Sequence, residues 1–221
     1  MAQIYRFYPK KKSIFNLKIN LLLLIINVLC YILFSVIIYF NVNLLDYIAL
    51  KPSNILQGKY LWTFLTSMFM HGGFFHLFVN MFSLLFIGNL AEKILGKKRF
   101  FIFYIIAGLF AGISFVASSF LLPSDFNTYA VGASGALFGL IGLFMIITPN
   151  LPVSIMFIPI PIKMKFAAPI MLVLLWLISI LGNVPVGNTA HLGGFVIGLI
   201  YGLYLKNKYK NKTRYISKYF S

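Results

Sequence analysis

The stretch INLLLLIINVLCYILFSVIIYF, residues 19–40, decides the fold class of this chain. It is 22 residues long and contains no charged side chain. A helix rises about 1.5 Å per residue and the hydrocarbon core of a bilayer is about 30 Å thick, so this run predicts a membrane-crossing helix. Basic residues precede it, as in a secretory signal, but the run is too long and lacks a small-residue cleavage site. We therefore predict a permanent first span.

The composition of the whole chain agrees with a membrane location. Of its 221 residues 61% are hydrophobic and only 10% are charged, whereas about a quarter of the residues of soluble proteins carry charge. Five more apolar runs predict spans at 74–95, 100–122, 130–147, 166–181 and 190–205. The last two are short for a full crossing. We predict an all-α membrane protein, a bundle of six transmembrane helices.

Basic residues fall mainly on one side of these spans. Seventeen lysines and arginines lie in the N-terminal arm, the turns after span two and before span five, and the tail, against only Lys51 and Lys59 elsewhere. Cytoplasmic segments are enriched in Lys and Arg, so we predict a multi-pass protein of the cell membrane with both termini in the cytoplasm. The predicted organisation is a basic arm at 1–18, a membrane domain at 19–205 and a basic tail at 206–221.

The net charge of +16 has a membrane explanation as well. It is confined to one side of the predicted bilayer and forms no stripe that would fit a nucleic-acid groove, so we expect no nucleic-acid partner. The basic termini are instead expected to contact anionic lipids. Cys30, the single cysteine, offers neither an intrachain disulfide nor a cysteine-based metal site.

Polar residues gather at one depth of the predicted bundle. His76, Ser134 and His191 each lie near the start of spans two, four and six, which run in the same direction, and Asn80 lies one turn below His76. A polar group at membrane depth is costly and marks a cavity, a pathway or a reaction centre. We predict a single site up to about 10 Å inside the outer face.

Glycines explain how Ser134 and His191 could meet. Small residues spaced three or four apart let membrane helices approach closely. A base within hydrogen-bond reach of a serine is what nucleophilic catalysis requires, and His76 and Asn80 offer donors for an oxyanion. Taken singly, each polar residue has an ordinary packing role, and their common depth favours a reaction centre. The glycines are Gly135, Gly139 and Gly142 in span four and Gly194, Gly198 and Gly202 in span six.

The chain resembles a rhomboid intramembrane serine protease. The matching stretches are HGGFFHLFVN at 71–80, GASG at 132–135 and AHLGG at 190–194, with Trp62, Thr66 and AEKILG at 91–96. The resemblance covers about residues 60–206. It implies a six-helix core in which Ser134 is the nucleophile and His191 the general base, without an acidic third member. It also implies an oxyanion hole made by His76, Asn80 and the backbone N–H of Ser134.

Two positions depart from the family pattern. Phe138 stands where tyrosine is common, one turn below Ser134, and is placed to stack on the imidazole. Thr63 stands where arginine usually follows Trp62, so an arginine contact in the first outer loop is absent or replaced. We expect His71 to make a structural hydrogen bond in that loop and Glu92 to stabilise the cytoplasmic end.

The sequence therefore predicts an endopeptidase that cleaves transmembrane segments of other proteins near the extracytoplasmic face. It is expected to need no metal and no organic cofactor. A non-proteolytic relative that binds membrane segments for quality control is an alternative, although it would have no need of Ser134 and His191. A small transporter with a histidine proton relay is another, disfavoured by the lack of an internal repeat and of an acidic partner in the spans.

Overall fold

Helices make up most of the computed structural model, which describes residues 18–155, 160–182 and 186–220. The predicted N-terminal arm lies outside the described residues except for Lys18. The helices are α1 Ile19–Phe40, α2 Pro52–Leu56, α3 Thr63–Thr66, α4 Phe74–Ser83, α5 Asn89–Leu95, α6 Lys97–Ser118, α7 Ser134–Ile147, α8 Met164–Gly182, α9 Asn188–Lys208 and α10 Lys210–Tyr219. A π-helical turn, Leu84–Gly88, joins α4 to α5, so Phe74–Leu95 is one continuous 22-residue helix.

Within the described residues, four helices are long and apolar enough to cross a membrane. They are α1, Phe74–Leu95, α6 and α8. The predicted bounds of the first two spans are confirmed, and the predicted spans 100–122 and 166–181 correspond to α6 and α8. The count of six spans and the orientation of the termini stay predictions, because α7 and α9 are not among the four.

The lengths of the later helices correct the prediction. Spans five and six were expected to be short, but α8 has 19 residues and α9 has 21. The short helix is α7, with 14 residues. The predicted fourth span began at Ala130, whose backbone pairs with Leu50 in an isolated β-bridge, so the chain is not yet helical there. This extended approach delays the start of α7 to Ser134.

The fold is mostly helical, as predicted, and its strands are short. Two three-residue strands, β1 Pro152–Ser154 and β2 Pro161–Lys163, pair antiparallel between α7 and α8. Both strands contain proline, which is tolerated at sheet edges because it donates no backbone hydrogen bond. The strands carry the chain from the end of α7 into α8.

The core is built around α7. Leu140, Leu143 and Phe144 have no exposed surface, and α7 packs against α6 on one side and α9 on the other. α1 lies at the edge of the bundle and leaves large apolar side chains such as Leu29 exposed. In a bilayer those side chains face lipid, which needs no further covering. The arrangement encloses the start of α7, where Ser134 lies.

Candidate active site

Ser134 and His191 meet between α7 and α9. Ser134 is the first residue of α7, and His191 lies in the first turn of α9. The Nε2 atom of His191 lies 2.7 Å from the Oγ atom of Ser134. This is an ordinary hydrogen-bond distance, so the imidazole is placed to accept the hydroxyl proton.

Glycines set this distance because they let the two helix backbones touch. A β-carbon on Gly194 would clash with the Gly135 carbonyl, and one on Gly198 would clash with the Gly139 carbonyl. Gly202 continues the same face, where a β-carbon would meet Ile146 at 2.8 Å. The seam predicted from the glycine spacing is therefore present, and a larger residue in it would push α9 away from α7.

The imidazole of His191 is oriented by packing. Its ring lies against the Phe138 ring, with centroids 4.7 Å apart and planes tilted by 30°. His191 is buried, and its Nδ1 has no hydrogen-bond partner within the described residues. Packing against Phe138 therefore restrains the ring plane, whereas the acidic residue of a triad orients its histidine through a hydrogen bond to Nδ1.

His76 and Asn80 lie one turn apart on α4, and the His76 ring lies beside Gly132, two residues before the start of α7. The side-chain amide of Asn80 donates to the His76 carbonyl at 2.8 Å, and Asn80 is buried. One of its two amide N–H groups is therefore used inside the helix. The Nδ1 atom of His76 accepts a long contact of 3.4 Å from the Gly72 N–H.

Gly132 is a site residue to which the sequence analysis assigned no role. It has φ +113°, a conformation that side chains other than glycine rarely adopt. A β-carbon there would lie 2.8 Å from Nε2 of His76 and 3.7 Å from the Ser134 Oγ. The absence of that carbon leaves an open space between the hydroxyl and the His76 ring. The signal in the sequence was the glycine two residues before the serine.

His71 lies beside His76. Its buried ring stands edge-on to the His76 ring, with centroids 5.2 Å apart, and neither nitrogen makes a hydrogen bond of ordinary geometry within the described residues. The ring also has a hydrogen-bond contact with the Phe69 backbone, which acts to raise its pKa, and the predicted structural role of His71 in the loop stays a prediction. Burial, helped by the charge of nearby His76, lowers the pKa of His71 to about 3, so this ring is neutral. It packs behind His76 and fixes the position of that ring.

Glu92 lies at the other end of the bundle. Its carboxylate accepts the backbone N–H groups of Ile19 at 3.0 Å and Asn20 at 2.9 Å. These are first-turn groups of α1 that have no partner inside the helix, so Glu92 caps α1. In the described part of the chain no three His, Cys, Asp or Glu side chains gather as they would around a metal ion.

Hydrogen bonds join the loop before Ser134 to the segment that follows α1. Asp46 accepts hydrogen bonds from the Tyr129 hydroxyl at 2.6 Å and from Asn54 at 2.9 Å. Trp62 donates to the Tyr47 carbonyl, while the Thr63 hydroxyl is used locally by the Tyr60 carbonyl. The Asp46 contacts thus join these segments without an arginine after Trp62.

The comparisons with known proteins agree with this arrangement. Residues 58–208 match the Rhomboid domain. The chain is 37% identical over 159 residues to RHOMBOID-like protein 1 of Arabidopsis thaliana, a match that covers 70% of this chain and 37% of that protein. It is 38% identical over 161 residues to RHOMBOID-like protein 5 of the same plant, covering 71% and 48%.

A bacterial relative adds a statement about activity. The chain is 37% identical over 91 residues to "Putative rhomboid protease YdcA" of Bacillus subtilis (strain 168), covering 40% of this chain and 43% of that protein. The chain thus spans less than half the length of each of these relatives. With the apolar helices, these matches make it a multi-pass membrane protein of a protease family. The resemblance seen in the sequence is confirmed: the chain belongs to the rhomboid family.

Proposed function

We propose that this chain is an intramembrane serine endopeptidase that uses Ser134 and His191 as its catalytic pair. The observation that carries the proposal is the 2.7 Å contact between the Ser134 Oγ and the His191 Nε2, at the start of two closely packed helices. A serine hydroxyl is a weak nucleophile until a neighbouring base accepts its proton. The contact supplies that base.

In the proposed reaction, Nε2 of His191 takes the hydroxyl proton as Oγ of Ser134 attacks the scissile carbonyl carbon. The carbonyl oxygen becomes an oxyanion, and His191 then gives its proton to the departing amine, leaving an acyl-enzyme. Water attacks this ester with His191 again as base, and the Ser134 oxygen leaves as the restored hydroxyl. These are the roles that serine and histidine have in serine hydrolases generally.

Three donors surround the place where the oxyanion would form. The Ser134 N–H belongs to the first turn of α7 and has no partner inside the helix, and the helix start adds a partial positive charge. His76 borders the open space at Gly132, and the second amide N–H of Asn80 is the third donor in this proposal. Preorganised donors of this kind stabilise the charge that develops in the transition state.

The substrates in this proposal are transmembrane segments of other proteins, cut near the extracytoplasmic face. Six spans, cytoplasmic termini, a location in the cell membrane and anionic-lipid contacts from the basic termini belong to the same proposal. It is supported by the excess of lysine and arginine on one side of the predicted spans. No step of the reaction needs a metal or an organic cofactor.

A non-proteolytic membrane-binding role is the second candidate. It is favoured by one relative, Inactive RHOMBOID-like protein 8 of Arabidopsis thaliana, which is 33% identical over 89 residues and covers 40% of this chain and 24% of that protein. The proximity of Ser134 and His191 in this chain favours the protease.

Labelling with a fluorophosphonate, together with a cleavage assay, separates the two. We expect the purified protein to be labelled and to cut a model transmembrane substrate in liposomes, and Ser134→Ala to do neither. Ser119→Ala is the matched control, because that buried hydroxyl donates to the Val116 carbonyl and lies outside the site. Labelling or cleavage that persists in Ser134→Ala would contradict the protease.

A further inference from the structure

A surface groove of about 390 Å³ runs between α6 and α9, at the end of the bundle away from Ser134. Its walls are isoleucines: Ile102 and Ile106 come from α6, and Ile197 and Ile200 from α9. Ile102, Ile106 and Ile200 are each about half exposed. The walls are therefore apolar and open to the surroundings of the protein.

Aromatic rings form the floor of the groove. The rings of Phe103 and Tyr201 stack with centroids 4.6 Å apart, and Tyr201 stacks in turn on Tyr204 at 6.2 Å. Stacked rings on two facing helices make a rigid surface, because each ring is held by its neighbour. The groove is thus preformed and does not depend on a flexible loop.

Two cations lie near the Tyr209 ring: Arg99, which lines the groove, and Lys208, in the last turn of α9. The Arg99 guanidinium lies 5.7 Å and the Lys208 ammonium 5.8 Å from the centroid of the same ring, Tyr209. The Lys208 ammonium also donates to the Tyr204 hydroxyl at 2.6 Å, which aims it at the groove. Like charges that share one ring repel each other, and an anion between them would remove that repulsion.

Among the described residues, no side-chain carboxylate pairs with these cations. It has only three acidic residues, Asp46, Glu92 and Asp125. Asp46 and Asp125 belong to loops at the opposite ends of α1 and α6. Glu92 lies at the same end as Arg99, but its two oxygens are taken by the start of α1. None of these three carboxylates is therefore placed to pair with Arg99 or Lys208.

We propose that the groove between α6 and α9 binds a phospholipid with an anionic headgroup. The phosphate lies between Arg99 and Lys208, and an acyl chain lies along the isoleucine walls over the stacked rings. Arginine suits phosphate because its planar guanidinium donates two parallel hydrogen bonds, and lysine adds a point charge. Basic pockets between transmembrane helices on the cytoplasmic side bind such headgroups in other proteins.

The charges of Arg99 and Lys208 favour an anionic lipid as the occupant of the groove. A neutral lipid would fill the apolar walls equally well but would leave the charges of Arg99 and Lys208 without an anionic partner. A free phosphate would pair with the cations but would leave the apolar walls uncovered. A lipid that carries both parts fits the whole groove, and it would bridge α6 to α9, the helix that bears His191. This proposal is independent of the catalytic one.

Native mass spectrometry of the delipidated full-length protein tests the proposal. The protein is titrated with phosphatidylglycerol or phosphatidylcholine of identical acyl chains. We expect tighter binding of the first phosphatidylglycerol molecule, and about a tenfold loss of that affinity in the double variant Arg99→Gln, Lys208→Gln. The matched control removes the same charge elsewhere, with Lys163→Gln and Lys165→Gln, and should bind like the wild type.

Two further variants test the parts of the site separately. Arg99→Lys keeps the charge but loses the paired hydrogen bonds, so its affinity should fall between those of the wild type and the double variant. Ile200→Trp fills the groove while both cations remain, and it should weaken phosphatidylglycerol binding. These variants keep the test valid if the double variant fails to fold.

Three results would overturn the proposal. One is equal affinity for the two lipids. Another is an equal loss in the Lys163 and Lys165 control, which would mean diffuse attraction to the basic face. The third is displacement of bound lipid by millimolar glycerol phosphate, which would mean a phosphate site without a lipid chain.

Discussion

Ser134 and His191 are proposed to act as one unit, and this has a measurable consequence. Removing the nucleophile of a serine hydrolase lowers turnover about a million-fold, and removing its base costs nearly as much. We expect His191→Ala to lose almost as much activity as Ser134→Ala, and the double variant to be little worse than either. Turnover of a transmembrane substrate per folded molecule is the measurement. Losses that multiply would show that the two residues act independently.

Gly132 supports a prediction about the space beside the serine. Gly132→Ala puts a β-carbon 2.8 Å from Nε2 of His76 and strains a backbone with φ +113°, so we expect turnover to fall about 10²- to 10³-fold, as for loss of an oxyanion donor. Gly73→Ala is the matched control, because nothing lies within 4 Å of its β-carbon. Equal activity of the two variants would mean that the His76 position does not matter for turnover.

The pairing of the site residues could be foreseen, but its details could not. Common depth and glycine spacing indicated that Ser134 and His191 would meet, because both follow from helix periodicity. The use of one Asn80 N–H by the His76 carbonyl depends on a side-chain torsion that a sequence does not give. The Glu92 cap joins residues more than 70 positions apart, and only the packing of α1 against α5 brings them together.

At the scale of the elements, the Asp46 hydrogen bonds that join the segment after α1 to the loop before α7 predict a response to acid. The Tyr129 hydrogen bond, helped by Asn54 and Lys51, lowers the pKa of Asp46. A carboxyl group with a lowered folded-state pKa stabilises the fold at neutral pH, and that contribution is lost as the pH falls through the folded-state pKa. We expect the wild type to have a higher melting temperature than Asp46→Asn at pH 7. This difference should disappear as the pH falls below about 4.

Asp125 serves as the control, because its pKa shifts in the opposite direction from that of Asp46. Burial raises the pKa of Asp125, so its charged form is disfavoured in the folded protein. Asp125→Asn should therefore melt no lower than the wild type at pH 7. Thermal unfolding in one detergent across the pH range measures both variants. If the difference in melting temperature between the wild type and Asp46→Asn stays constant down to pH 3, the charge of Asp46 contributes nothing to the contact between these two segments.

Apolar patterning predicted some element bounds and missed others for a physical reason. α1 and Phe74–Leu95 were predicted at their observed bounds because long apolar runs end there in polar or glycine residues. The start of α7 was predicted four residues early, since an apolar stretch does not distinguish a helix from an extended buried segment. Ala130 belongs to such a segment, held by the β-bridge to Leu50.

For the whole molecule, the decisive question is how many times the chain crosses the membrane. α7 has 14 residues and is about 21 Å long, shorter than the roughly 30 Å hydrocarbon core. It can still belong to a complete crossing, because it is surrounded by α6 and α9 and its extended approach covers the remaining depth. The excess of basic residues on one side of the predicted spans predicts that both termini lie on that side, which an odd number of crossings would not allow.

Cysteine accessibility tests this topology, since Cys30 is the only cysteine and can be replaced by serine. Single cysteines are introduced as Lys59→Cys, Lys98→Cys and Lys212→Cys and are exposed to a membrane-impermeant maleimide. We expect labelling of Lys59→Cys in intact cells, and of the other two only after permeabilisation. If Lys212→Cys is labelled in intact cells while Lys98→Cys is protected, the chain crosses the membrane an odd number of times between residues 98 and 212. In that case α7 or α9 fails to cross, and Ser134 and His191 could not both lie near the outer face as the proposed mechanism requires.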